Sequence, residues 1–257
     1  MQIQFSDHTG KIGEAVMDAP PVSLSKSKPL VLCPPLRSGA WIAANGPSNS
    51  SRHRRSAFPY YGSATIAERY AYDFVKLGDD GMAYAGDKKN NANWTGFGSE
   101  VLAVADGIVV EVQDGIPENV PFSPDRPVEI TPQTSGENFV TVDIGSRHFA
   151  YFAHMQPKSI RVKLGDHVRR GQVLGLLGNT GNSTNAHLHF HVSTGKRPGE
   201  GEGIPIIFNT FHLLGLADFT STVGLIARPV GWRATSIGKN GERRNEMPLE
   251  NDVLKFP

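Results

Sequence analysis

The sequence predicts an all-β fold, mostly antiparallel, arranged as a β-sandwich or barrel. Apolar residues come in short runs that alternate with polar ones, as in half-buried strands. Turn residues separate these runs, and the 257-residue chain has 28 Gly and 18 Pro for that purpose. No segment shows the long 3.6-residue apolar period that an amphipathic helix requires. The spacing of the runs is therefore that of a sandwich or barrel.

The clearest predicted strands lie in the middle of the chain. Residues 101–105 and 108–112 are apolar runs on either side of Asp106-Gly107, which predicts a strand, a tight turn and a strand. The alternation in residues 138–144 and 147–154 predicts the two strands of a hairpin. Further short strands are predicted at residues 160–162, at 170–175 and at a run that ends with Val192.

Proline breakers and a change in composition divide the chain into three parts. Pro-Pro pairs interrupt the chain at residues 20–21 and 34–35, and residues 242–251 are largely charged and polar. We therefore predict an N-terminal β segment at residues 1–40 and a main domain at 41–212. Residues 213–257 are predicted to be a C-terminal extension that packs on the main domain or trails it.

The composition argues against several classes of partner. Lys and Arg number 26 and Asp and Glu number 25, so the net charge of +1 gives no electrostatic reason to expect nucleic acid. No apolar run approaches the roughly 20 residues of a membrane helix. The N-terminus lacks the pattern of a secretory signal, so we expect that the protein stays inside or that a leader was removed. Cys33 is the only cysteine, so a metal site must use histidines and carboxylates.

Three histidines alternate with apolar residues in one short segment. In His187-Leu188-His189-Phe190-His191-Val192, strand geometry places the apolar side chains on one face and the histidines on the other. Neutral imidazoles bind zinc and also transfer protons near neutral pH. The alternation alone does not decide which histidine binds a metal and which acts on the substrate.

These residues resemble the lysostaphin-type (LytM-like) zinc endopeptidases, which hydrolyse peptidoglycan. The resemblance covers roughly residues 45–192, and its most specific parts are residues 178–191 and the element from Tyr151 to His154. It implies a mostly antiparallel β-sandwich, of the duplicated hybrid motif type, around a catalytic groove. It also implies one Zn²⁺ ion held by His189 and by an upstream His and Asp. By the same resemblance, His187 and His154 are the catalytic pair.

The upstream ligands follow a departure from the family pattern, which commonly places its His and Asp four residues apart. No such pair exists here, but the run from Arg69 to Phe74 resembles the Asp strand of a branch with a long insertion, and this implies Asp73 as a ligand. His53 is the only histidine between His8 and His148, so it is the natural second ligand. The family often has Glu at the position of His191.

The function implied is that of a zinc metalloendopeptidase that cuts peptidoglycan cross-links with a metal-activated water. A non-catalytic module that binds cell wall or activates another hydrolase on the same fold is the alternative. A biotinyl or lipoyl carrier is a weaker alternative, since no lysine near residues 164–177 lies in the required turn. The family is typically extracytoplasmic. The sequence does not predict the oligomeric state or the bond cut. Four aromatic residues are candidates for lining a wall of the groove: Tyr60, Tyr61, Tyr84 and Trp94.

Overall fold

A computed structural model describes residues 2–6, 12–16, 27–60, 63–131, 137–217, 231–233 and 240–257. Its strands are β1 (Gln2–Ser6), β2 (Ile12–Val16), β3 (Leu30–Leu32), β4 (Ala40–Ala44), β5 (Phe58–Tyr60), β6 (Ser63–Thr65), β7 (Tyr72–Leu77), β8 (Glu100–Leu102), β9 (Gly107–Gln113), β10 (Phe139–Asp143), β11 (Phe149–Ala153), β12 (His167–Val168), β13 (Val173–Leu176), β14 (Leu188–Ser193), β15 (Ile206–Leu216), β16 (Gly241–Glu246) and β17 (Asp252–Lys255). Its helical elements are the four-residue helix α1 (Arg52–Arg55) and a 3₁₀ turn at Asn91–Asn93.

The predicted all-β class and the antiparallel pairing are confirmed. Eleven strands form one large sheet, in which the order is β12-β9-β10-β11-β14-β7-β4-β17-β15-β16 and β3 pairs with β15. Among the described strands of this sheet, β3 and β15 are the only parallel pair. Strands β8 and β13 form a separate two-stranded sheet, as do β5 with β6 and β1 with β2.

One hydrophobic core is shared by the large sheet and by the β8–β13 sheet. Phe152 and Phe190 from the large sheet belong to the same buried cluster as Val101 and Leu174 from the small sheet. The rings of Phe152 and Phe190 lie 5.1 Å apart on neighbouring strands. Because burial of such side chains contributes about 1.5–3 kcal/mol each, this shared core is what fixes the strands that carry the histidines.

The strand, turn and strand predicted around Asp106-Gly107 are present, but the two strands do not pair with each other. Strand β8 pairs with β13, whereas β9 pairs with β10 and β12, so the turn connects two sheets. A Cβ atom on Gly107 would collide with the carbonyl oxygen of Asp143, and this close approach explains the glycine. The predicted 138–144 and 147–154 hairpin is confirmed as β10 with β11.

Two of the remaining predicted strands are present as β13 and β14. Strand β13 covers the C-terminal half of the predicted 170–175 segment, and β14 contains Val192. The strand predicted at residues 160–162 is wrong, because this segment has no regular ladder. It is held instead by single bonds such as the one that the Arg161 N–H donates to the Leu174 carbonyl at 2.8 Å.

The C-terminal residues take part in the large sheet. The predicted boundary at residue 212 falls inside β15, and β17 lies between β4 and β15. Val253, Leu254 and Phe256 are fully buried. The division into three parts stays a prediction, while the structure shows that these last strands support β4, which leads into the predicted metal site.

Among the described residues, no helix is long and apolar enough to cross a membrane.

Replacement of Phe256 by Ala is expected to destabilise the fold strongly. The ring is fully buried and lies 5.6 Å from Phe74 and 5.4 Å from Phe208, so its removal should cost about 3–5 kcal/mol. The neighbouring Lys255 is exposed, and Lys255→Ala should change stability by no more than about 0.5 kcal/mol. Urea denaturation of both variants measures the difference, and equal stabilities would contradict this account of the C-terminal strand.

Candidate metal centre and catalytic pair

Strand pairing in the middle of the large sheet brings Asp73 and His189 together. The two residues are direct partners across β7 and β14, and directly opposed residues share one face of a sheet. Tyr72 and Phe74 are fully buried on the other face of β7, so the predicted alternation around Asp73 is confirmed. Nδ1 of His189 lies 3.0 Å from Oδ1 of Asp73. These two predicted ligands are therefore neighbours because of register, although 116 residues separate them.

The neighbouring strands leave room for the His189 ring on this face. Its partner across β11 and β14 is Ala153, and the partner of Asp73 across β4 and β7 is Ala44. Both alanines are buried and have small side chains. The predicted division of β14 is confirmed, since Leu188, Phe190 and Val192 belong to the core and the three histidines lie opposite.

His53 reaches the same place from helix α1, outside the sheet. Its Nε2 lies 3.5 Å from Oδ2 of Asp73, and its ring lies 4.9 Å from that of His189 in an edge-on arrangement. Its other nitrogen, Nδ1, lies 3.0 Å from the carbonyl oxygen of Asn45. A carbonyl only accepts, so Nδ1 carries a proton, and Nε2, which has the lone pair when the ring is neutral, faces Asp73.

The three predicted ligands form the group that can hold a metal. His53, Asp73 and His189 each offer one ligand atom, and these atoms lie within 4.8 Å of one another. Tetrahedral zinc with bonds of about 2.0–2.1 Å keeps its N and O ligands roughly 3.3 Å apart. The separations of 3.5 Å from His53 to Oδ2 of Asp73 and of 3.0 Å from His189 to Oδ1 are close to that value. Two imidazoles and one carboxylate thus fit a catalytic zinc ion with an open position.

The predicted catalytic pair lies beside this group. The rings of His154 and His187 are 4.7 Å apart, and Nε2 of His187 lies 3.4 Å from Oδ1 of Asp73. Nδ1 of His187 donates to the Asn185 carbonyl at 2.8 Å, and Nδ1 of His154 donates to the Thr180 carbonyl at 2.8 Å. Nδ1 is thus the donor nitrogen of each ring, and in the neutral form of either ring the lone pair is on Nε2.

A buried carboxylate that the sequence reasoning missed supports His154. Glu137 is 5% exposed, and its Oε2 lies 3.1 Å from Nδ1 of His154. Its Oε1 accepts a hydrogen bond of 2.5 Å from the Tyr151 hydroxyl. The register of β10 and β11 places Glu137 beyond the end of its strand, where His154 turns with φ +62°. A non-glycine residue in that conformation gives no signal in the sequence, so the pair could not be found from alternation.

His191 lies on the ligand face, next to His189. Its Nδ1 is 2.9 Å from Nε2 of His189, and its ring lies 5.0 Å from Tyr151. It is 2% exposed. His191 thus contacts the nitrogen of His189 that points away from Asp73.

Burial and the close histidines shift several pKa values in opposite directions. Burial alone would raise the pKa of Asp73, but its contacts with His53, His187 and His189 hold that pKa well below its usual range. Burial lowers the pKa of His189, yet the carboxylates of Asp73, Glu68 and Glu137 outweigh it and raise that pKa to about 9. Burial, followed by the charge of His189, lowers the pKa of His191. On this face the interactions between carboxylates and histidines therefore offset the cost of burying Asp73 and His189 in their charged forms.

Asn119 holds the loop that leads into β14. The side chain of Asn119 donates to the carbonyls of Gly181 at 2.8 Å and Ser183 at 3.0 Å. The Ser183 hydroxyl lies 3.3 Å from Nδ1 of His187. These contacts connect the 181–183 turn to the predicted catalytic pair.

The aromatic residues proposed for a groove have different surroundings. Trp94 is buried, and its ring packs 5.2 Å from Tyr84 and 5.8 Å from Phe122. Its Nε1 donates to the Lys88 carbonyl at 2.9 Å. Trp94 therefore has the core-packing role. Tyr61 and the side chain of Tyr60 lie outside the described residues.

Comparison with known proteins finds a match to one protein family. The model of Peptidase family M23 matches residues 93–200, a segment that includes His154, His187 and His189 but neither His53 nor Asp73. An uncharacterized metalloprotease of Buchnera aphidicola subsp. Baizongia pistaciae is 30% identical over 101 residues, or 39% of this chain and 22% of that protein. The peptidoglycan DD-endopeptidase ShyA of Vibrio cholerae is 32% identical over 102 residues, or 40% of this chain and 19% of that protein.

The matched part thus spans about a fifth of the length of these two relatives. Among solved structures, the catalytic domain of lysostaphin from Staphylococcus simulans is 26% identical, with a TM-score of 0.28 over 46% of this chain and 80% of that one. The predicted resemblance is confirmed by this family match, which covers residues 93–200 of the chain.

Proposed function

We propose that this protein is a zinc-dependent endopeptidase that hydrolyses peptide bonds in peptidoglycan cross-links. The observation that carries the proposal is the cluster of His53, Asp73 and His189, with the His154–His187 pair beside it. In this proposal the upstream His and Asp are 20 residues apart in sequence, as in a family branch with an insertion. The family is one of peptidases, and one relative is named as a peptidoglycan endopeptidase, which supports a cell-wall substrate.

The donor set supports zinc as the metal. Imidazole nitrogens and one carboxylate are ligands that zinc takes in catalytic sites, where a fourth position stays open. Zinc bound there would lower the pKa of water toward neutrality and polarise the scissile carbonyl. The single carboxylate of Asp73 leaves the combined charge of metal and ligands positive, which favours both effects.

The histidine pair supports general acid–base chemistry. His154 and His187 both anchor Nδ1 on a backbone carbonyl, so each has Nε2 available to accept or donate a proton. In this proposal one of the two would accept the proton of the attacking water at Nε2, and the other, protonated at Nε2, would donate a hydrogen bond to the developing oxyanion. Glu137 fixes the orientation of His154 through its 3.1 Å contact with Nδ1.

Digestion of purified peptidoglycan tests the activity itself. The zinc-loaded protein is expected to release soluble fragments in which mass spectrometry finds cut peptide cross-links and intact glycan chains. A chelator should stop the release and added zinc should restore it. If the loaded protein sediments with peptidoglycan and releases no fragments, the non-catalytic binding module is the correct function. If it does neither, the cell-wall substrate is wrong.

The variant His189→Ala is expected to lose zinc. Removal of partners that only contact a ligand already weakens metal binding by about 10–100-fold, so loss of a ligand should weaken it by more than about 100-fold. The exposed His167 provides a matched control, and His167→Ala should bind zinc like the unchanged protein. Titration against a competing chelator measures both affinities, and full zinc content in His189→Ala would show that His189 is not a ligand.

The variant His187→Ala should separate catalysis from metal binding. We expect hydrolysis to fall by about 10²–10⁴-fold, the usual contribution of a general acid or base. The zinc dissociation constant should rise by no more than about 10–100-fold, less than for loss of a ligand, since His187 contacts Asp73 but lies outside the ligand group. A variant that lost zinc and activity together would instead assign His187 to the metal.

A further inference from the structure

Asn45 contacts both upstream members of the proposed ligand group. Its side-chain Nδ2 donates to Oδ2 of Asp73 at 2.7 Å. Its backbone carbonyl accepts from Nδ1 of His53 at 3.0 Å. One residue therefore holds the carboxylate with its side chain and the imidazole with its main chain.

The position of Asn45 follows from the strand before it. Strand β4 ends at Ala44, which is the direct partner of Asp73 across β4 and β7. Asn45 then takes φ +49°, a left-handed conformation that asparagine tolerates better than most residues. The chain turns there, so that the side chain lies against Asp73 while the carbonyl faces helix α1.

Each contact fixes a different property of the ligands. The amide N–H occupies one of the lone-pair positions of Oδ2 and thereby limits rotation of the Asp73 carboxylate. The carbonyl holds the proton of His53 on Nδ1, which leaves Nε2 as the nitrogen that faces Asp73 at 3.5 Å. Such outer contacts orient metal ligands and select their tautomer.

A short loop reinforces the carbonyl contact. The Ser51 hydroxyl also donates to the Asn45 carbonyl, at 2.8 Å. The Ser51 N–H donates to the hydroxyl of Ser48 at 3.0 Å. Ser51 and His53 thus both donate to the Asn45 carbonyl oxygen, which folds the segment between Asn45 and α1 back onto Asn45.

We propose that Asn45 is a positioning residue that sets the geometry of His53 and Asp73 together and so determines the metal affinity of the site. This inference rests on the proposed metal site, and it goes beyond that site by naming a residue that binds no metal itself. Its side chain and its carbonyl act on two different ligands, so the side-chain part can be tested alone.

The variant Asn45→Gly isolates the amide. Glycine accepts φ +49° without strain and keeps the carbonyl that holds His53, so only the contact with Asp73 is removed. We expect the zinc dissociation constant to rise by about 10–100-fold. Asn245 has the same φ of +49° but is exposed on β16, so Asn245→Gly is a matched control and should bind zinc like the unchanged protein.

Zinc affinity is measured by competition with a chelator, and thermal melting is measured without metal. The proposal predicts melting temperatures for Asn45→Gly close to those of Asn245→Gly, together with the loss of affinity. Equal zinc affinity in the two variants would overturn it. So would loss of the metal-free fold in Asn45→Gly alone, because the amide would then serve folding.

A second variant guards against an effect peculiar to glycine. Asn45→Ala removes the same amide and keeps the same carbonyl, so it should show a loss of affinity at least as large. Retained affinity in Asn45→Ala would overturn the proposal. Absence of zinc binding by the unchanged protein would instead refute the metal site itself, which keeps the two failures distinct.

Discussion

The buried carboxylate of Asp73 is the group around which the histidine face is arranged. A carboxylate removed from water is costly unless it is paired and hydrogen-bonded. Here Nδ1 of His189 lies 3.0 Å away and the amide of Asn45 donates to it at 2.7 Å, while Nε2 of His187 lies 3.4 Å away. The contacts of His189 and Asn45 that offset the buried charge also hold two of the proposed ligands side by side, so one arrangement serves both burial of the carboxylate and the proposed metal site.

The sequence predicted the parts of the site that depend on alternation along a strand. The face of β14 and the orientation of Asp73 between Tyr72 and Phe74 follow from the two-residue period. The direct pairing of Asp73 with His189 does not, because strand order arises from the packing of the whole chain. Glu137 and Asn45 were missed for a local reason, since their contacts depend on turns with positive φ at non-glycine residues, His154 and Asn45.

The C-terminal strands show a different limit of sequence reading. Residues 242–251 look like a surface extension because they are largely charged, yet β17 directly follows them and pairs with β4. The turn before β17 also contacts the loop that leads to His53, since Glu250 accepts hydrogen bonds from the hydroxyls of Ser48 and Ser50. A Cβ atom on Gly46 would lie 3.1 Å from the Cα of Glu250, so the glycine permits this close approach. Residues distant in sequence therefore support the metal-site loop.

The geometry also assigns distinct roles to the two nitrogens of His189. Its Nδ1 faces Asp73, whereas its Nε2 lies 2.9 Å from Nδ1 of His191. Only Nδ1 therefore faces the other proposed ligands, and Nε2 is the nitrogen whose N–H His191 accepts when Nδ1 binds a metal. The family often has Glu at the position of His191, and either side chain can accept that hydrogen bond. A neutral imidazole accepts it without adding a second negative charge, so the proposed site with a metal bound would keep the net positive charge on which polarisation of a carbonyl depends.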